Sequence, residues 1–309
     1  MIKLYKILLI SFFSTCFIFQ NLQLVSQPIA DKSIIDLSHY DFSQNQVIAL
    51  NGEWEFYWNQ LLSPQNFNES NLLIKNYIDV PGIWNGQVIG DDTLTGFGFC
   101  TYRLILKLKN ESQNVAINVR DISLAYKLWI DDELLFEIGK VADNKKDYFG
   151  IFKPSTKFFT IKKDESTDTN YIYVPITLQV ANFNHPRGAI WDEIYFGSQE
   201  KISKNNNYKL LINYIIIGIV LIMTLYHFAL FFMRKKELSL LYFAITALLY
   251  CIRGMATNER IFVEWIPQMT FEIINKIEYF TSYASITFFV LFFSSLYKQY
   301  FPKIVKYII

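Results

Sequence analysis

From Leu210 to Met233 the chain carries no charged residue, and Arg234-Lys235-Lys236 closes the run. At about 1.5 Å of rise per helical residue, such a stretch crosses a hydrocarbon core of about 30 Å. A helix this long and this oily has to be covered by lipid, so the rest of the chain must be arranged around a bilayer. A second uncharged run, Leu238 to Ile252, extends to Met255 if Arg253 snorkels to the interface. A third runs from Tyr279 to Tyr297. Helices are therefore expected over about 208–233, 238–256 and 275–297, within a membrane region spanning 208–309. Glu272, Lys276 and Glu278 precede the third span at helical spacing and read as solvated first turns. Asn213 and His227 are the polar outliers inside the spans. Such residues are functional candidates by default, but an interhelical hydrogen bond or a position near the interface is the simpler reading.

Orientation follows from the basic residues. Arg234-Lys235-Lys236 between the first two spans, with Lys298, Lys303 and Lys306 after the third, should face the cytoplasm. The segment before the first span is then exported. The N-terminus agrees, since Lys3 and Lys6 precede an uncharged run from Ile7 to Phe19. That pattern reads over residues 1–27 as a signal peptide or, uncleaved, an N-terminal anchor. Phe13-Ser14-Thr15-Cys16 is also a loose lipoprotein box. The expectation is a multi-pass protein of the cell (inner) membrane with residues 31–207 extracytoplasmic.

The exported segment is acidic, with 23 Asp and Glu against 17 Lys and Arg between Asp31 and Asn207. That balance disfavours a phosphate backbone, so no nucleic-acid partner is expected. Of the three cysteines, only Cys100 falls in this segment, which leaves no disulfide framework and no CxxC metal site. Tyr102 to Leu108 alternates apolar and polar residues with a period of two, the pattern of a half-buried antiparallel strand. Val115–Val119, Tyr126–Ile130, Leu134–Ile138, Tyr171–Val180 and Ile190–Phe196 follow as strands, with Asp131-Asp132 turning a hairpin. Short strands punctuated by Gly, Asn, Asp and Pro favour a β-sandwich over 31–200. Gly197 to Asn207 is left as a short linker to the membrane, suited to coupling the two parts.

Three motifs in this segment are distinctive: Leu50-Asn51-Gly52-Glu53-Trp54-Glu55-Phe56-Tyr57-Trp58, then Val80-Pro81-Gly82-Ile83-Trp84-Asn85, then Gly96-Phe97-Gly98-Phe99-Cys100-Thr101-Tyr102-Arg103. They resemble the galactose-binding-like jelly roll of β-galactosidase-type glycoside hydrolases. Joined to the apolar runs and to Leu225-Tyr226-His227 before the basic loop, the chain is similar to bacterial seven-transmembrane receptors with diverse intracellular signalling modules. The resemblance implies sensing outside the cell, seven helices and a cytoplasmic signalling module or partner. The sequence stops at Ile309, after three helices, so a fragment, a split reading frame or a degenerate relative is expected.

Sugar sites pair an aromatic platform with planar polar donors and carboxylates. The candidates for ligand contact are Trp84, Asn85, Arg103, Arg120, Asp121, His185, Arg187 and Trp191. Trp54, Trp58, Trp129 and Trp84 itself also read as core or sheet-packing residues. His185-Pro186-Arg187-Gly188 follows a strand, where binding loops often sit. No metal site, cofactor motif or hydrolase, kinase or nucleotide-loop signature is present. Glu53 and Glu55 share i, i+2 spacing, yet a glycosidase pair lacks any accompanying motif. Three readings result. The leading one is a membrane sensor that binds a small ligand, a carbohydrate among the candidates. Against it stand a structural or protein-interaction module that docks another membrane protein, and an enzyme, which is not expected.

Overall fold

The computed structural model describes residues 27–44, 46–68, 75–90, 92–166, 168–266 and 269–297. Residues 1–26 of the expected signal segment, with Cys16, and the basic cluster Lys298, Lys303 and Lys306 lie outside these described residues.

Two antiparallel layers form the N-terminal half. The larger sheet contains β1 (Ile34–Asp36), β3 (Gly52–Trp58), β4 (Asn76–Val80), β8 (Gly98–Lys109), β10 (Ala125–Ile130), β11 (Glu133–Ile138) and β13 (Tyr171–Asn182). Its order is β11-β10-β13-β8-β3-β4, with the short β1 pairing parallel to β8. The second sheet runs β12 (Ser155–Ile161), β9 (Gln113–Val119), β15 (Tyr195–Ser198), β2 (Val47–Ala49). Alternation decides which face each strand buries. Cys100, Tyr102, Leu104, Leu106 and Leu108 of β8 point into one cluster, which Ile176, Leu178 and Val180 of β13 and Ile117 and Phe196 of the second sheet complete. Removing each such side chain from water stabilises the fold by roughly 1.5–3 kcal/mol. Asp131-Asp132 turns the β10–β11 hairpin as expected, with Asp131 at φ +50°.

Two expected segments differ. Ile190–Phe196 is not one strand: Ala189–Ile190 forms the short β14, which pairs with β5 (Gly82–Ile83), and β15 starts at Tyr195. Between them, Trp191 and Asp192 donate their backbone N–H groups to the Asp121 carbonyl and leave the ladder. The expected linker is also absent as a loop. Helix α1 spans Gln199–Met233 without interruption, capped by the Ser198 hydroxyl. Its first turns are held on the second sheet, where Gln199 Nε2 donates to the Val115 and Phe159 carbonyls and Asn206 Nδ2 to Thr156 Oγ1.

Helices α2 (Leu238–Ala256) and α4 (Phe271–Leu296) complete three helices long and apolar enough to span a membrane, with a short α3 (Ile261–Trp265) between them. The central α2 packs against both α1 and α4. Its buried Ala244, Ala247 and Cys251 let neighbours approach closely. By contrast α1 buries only Ile202, Asn213 and Thr224, a single stripe repeating every three turns, and leaves its other apolar faces bare. That is the surface of a lipid-facing helix. Within the spans, His227 Nδ1 contacts its own helix at Met223 O (2.8 Å) and its ring packs on Phe243. Asn213 Nδ2 has no hydrogen-bond partner among the described residues.

Candidate functional site

Loops at one end of the sandwich converge on the sandwich-side ends of the helices. The β13–β14 loop is the most tightly built. Buried Asn182 donates from Nδ2 to the Gly96 and His185 carbonyls (2.7 Å each), and its Oδ1 accepts from the His185 N–H. Asn85 holds the next residues, donating to Pro186 O (2.8 Å) and accepting from Gly188 N (3.0 Å). Gly188 is required there because a Cβ would land inside the Trp84 ring. The loop is thus pinned at both ends, which orients His185 and Arg187 before any ligand arrives.

Opposite this loop stand the first turns of α4 and the α2–α3 connection. Phe271 stacks on Phe152 of the β11–β12 loop (6.1 Å between centroids) and meets His185 edge-on (5.9 Å). His185 in turn lies 4.7 Å from the Trp191 ring. Arg260, in the left-handed conformation at φ +50°, lays its guanidinium 3.4 Å from the Phe152 centroid and 3.6 Å from Asp121 Oδ1. Beside it Arg120 joins Asp192 of the sandwich (3.2 Å) to Glu259 of the helical half (3.0 Å). Burial raises the Asp121 carboxyl above its ordinary value, against the pull of Arg260. It lowers the Arg260 guanidinium in the same way.

Between the two halves lies a cavity of about 470 Å³, within the range of small-molecule sites. Four of the eight candidates line it: Asp121, His185, Arg187 and Trp191. The helical half contributes Arg260, Phe271, Ile274, Asn275, Glu278 and Tyr279. Arg120 sits next to it with its charge engaged. Trp84 is fully buried against Trp58 and supports the loop from below, as does Asn85. Arg103 is placed elsewhere, on the outer face of the large sheet, 3.9 Å from Glu55 and over the Phe67 ring. Sequence reasoning missed Asn182, Arg260, Phe271 and the role of Glu278. Glu278 is not a merely solvated lead-in, since it pairs with Arg253 at 3.7 Å while lining the cavity. The one signal available was Arg260 itself, a charge just beyond an apolar run.

Each of the two carboxylates weighed for catalysis is engaged by other groups. Glu55 is 3% exposed, accepts from Tyr57 Oη (2.8 Å) and is bridged by Lys75 (2.8 Å). Glu53 is exposed and its carboxylate accepts from the Lys32 N–H. Replacing Glu55 with Ala should leave the Tyr57 hydroxyl and the Lys75 ammonium without their acceptor. We expect a loss of about 1–3 kcal/mol, read as a lower melting midpoint of the full chain in detergent.

A β-sandwich seated directly on apolar helices defines a membrane protein whose water-exposed domain and lipid-embedded part share one interface. Its helical half is the recognisable part: residues 209–309 match the family model described as 7TM diverse intracellular signalling. That match, with the three helices, supports a membrane sensing or signalling role. Comparison with curated proteins finds no match. Among solved structures, the chain is similar to a GH2 β-galacturonidase from Eisenbergiella tayi, at 12% identity and TM-score 0.33, over 50% of this chain and 24% of that one. A β-glucuronidase of an uncultured Clostridium sp. gives 14% identity and TM-score 0.33 over 50% and 29%. The Ruminococcus gnavus β-glucuronidase gives 10% and 0.33 over 49% and 28%. The chain thus spans about a quarter of the length of these enzymes.

Proposed function

We propose that this protein is a multi-pass sensor of the cell membrane whose sandwich, held outside the cytoplasm, binds a small ligand at the junction and relays occupancy to the helices. The observation that carries the reading is the composition of the cavity wall. Sandwich loops supply one side of it, and α4 with the α2–α3 connection supplies the other. A ligand there touches both parts, so its affinity differs between docked and undocked arrangements, and that difference is what a relay requires. Topology is argued from charge. Arg234-Lys235-Lys236 lies at the end of α1 remote from the sandwich, and the positive-inside rule puts that end in the cytoplasm. A cytoplasmic signalling module or partner would receive the output there. Carbohydrates fit the aromatic and planar polar lining, and both carboxylates of the lining, Asp121 and Glu278, are paired with arginines.

The full chain in lipid nanodiscs should be melted against a panel of monosaccharides, disaccharides and small metabolites. A bound ligand at a hundred times its Kd raises stability by about 2.7 kcal/mol, a readily measured shift in midpoint. Trp191→Ala should remove the response. If no compound moves the midpoint, the sandwich is a docking module and the sensor reading fails.

A further inference from the structure

Pairing within the junction is uneven: Arg120 takes two of the four carboxylates there, and one of the four arginines is left without one. Arg120 faces Asp192 and Glu259, Arg253 faces Glu278, and Arg260 faces Asp121. Arg187 lines the same cavity, is exposed, and has no carboxylate partner among the described residues. A second observation points the same way. Arg260 is only 9% exposed, its Nε makes no hydrogen bond among the described residues, and its distance to Asp121 exceeds hydrogen-bonding range. The cavity therefore holds one guanidinium with no carboxylate within ion-pairing distance among the described residues and another whose pairing is incomplete. Near them, the Nδ1 of His185 is occupied by the Arg187 backbone, which leaves Nε2 for a ligand. A cationic ligand is disfavoured, because Asp121 and Glu278 already face arginines. Trp191, half-buried beside His185, provides flat apolar surface, backed by the buried Phe271.

Building on the ligand-sensing reading above, we infer that the junction cavity takes a small ring-bearing carboxylate, its acid group held by Arg187 and its ring packed against Trp191. Two sources share that chemistry, a sugar acid and an aryl acid. A carboxylate matches the fork of a guanidinium, whereas a neutral analogue leaves Arg187 unpaired.

The test uses the full chain in nanodiscs with matched pairs of probes: glucuronate against glucose, and phenylacetate against phenylacetamide. The expected result is a saturable rise in melting midpoint from one acid and not from its neutral partner, and which acid responds identifies the source. Arg187→Gln should weaken the responding acid by about 10- to 100-fold, with partial recovery in Arg187→Lys. If a neutral probe stabilises as well as its acid, or Arg187→Gln leaves the acid response unchanged, the carboxylate inference is overturned while ligand sensing stands. If no member of either pair shifts the midpoint, the carboxylate inference is overturned, and ligand sensing is decided by the wider panel above.

Discussion

Replacing Arg260 with Ala should release the sandwich from the helices and lower the melting midpoint of the full chain. Arg260 is clamped between a carboxylate, an aromatic face and the Ala256 carbonyl, and every one of those contacts is lost at once. Breaking a buried ion pair from one side costs about 3–5 kcal/mol. The Asp121 side chain is 33% exposed, so solvent screens part of that, and about 2–3 kcal/mol is expected. Backbone strain adds a second, separable effect. A left-handed residue without glycine's freedom costs roughly 1–2 kcal/mol, so Arg260→Gly should be less damaging than Arg260→Ala. The deficit should also depend on pH. Burial already raises Asp121, and losing Arg260 raises it further. A carboxyl raised on folding binds its proton more tightly in the folded state, so it favours folding at low pH and opposes it once ionised. The gap between wild type and Arg260→Ala should therefore be widest at neutral pH and narrow as the pH falls toward the ordinary carboxylate range. Melting curves from pH 8 down to about pH 4, the ordinary carboxylate range, measure this directly, and a gap that does not change over that span would rule out the Asp121–Arg260 pair as its origin.

Arg260 also marks the limit of what the sequence made legible. The helices could be read because their apolar runs are too long for any alternative, and β8 because its two faces meet different solvents. Its inward leucines are buried while Arg103 and Lys107 stay half-exposed. In each case the signal is local. The junction depends on residues far apart in sequence, as with Arg120 and Glu259, and no periodicity links such partners. Candidate loop residues could be named by type, but not sorted. Asp121, His185, Arg187 and Trp191 reach the cavity, whereas Arg103 has the same chemistry on a different face. The misread linker has the same cause. Its polar run, with three successive asparagines, reads as a loop, yet the first turns of α1 are held by hydrogen bonds from Gln199 and Asn206 to the second sheet. Tertiary contact outweighs weak helix propensity there.

Trp84 is the residue for which a ligand role and a packing role predict opposite results. It is fully buried, lies 5.4 Å from Trp58, and its Nε1 has no hydrogen-bond partner among the described residues. Phe should therefore replace it at a cost below about 1.5 kcal/mol, since no hydrogen bond is lost and much of the volume is kept. Ala should cost about 3–5 kcal/mol through the cavity it leaves. Gly188 makes the argument sharper. Alone, Gly188→Ala drives its methyl into the Trp84 ring and should cost about 1–3 kcal/mol. In the Trp84→Ala background the methyl enters vacated space, so the double variant should be more stable than the sum of the two single losses. Melting midpoints of the four proteins complete the cycle. Additive losses would mean that the β13–β14 loop does not rest on Trp84. Non-additive losses would mean that the loop presenting His185 and Arg187 to the cavity is positioned by the core of the sandwich, so that core packing and ligand response rise and fall together.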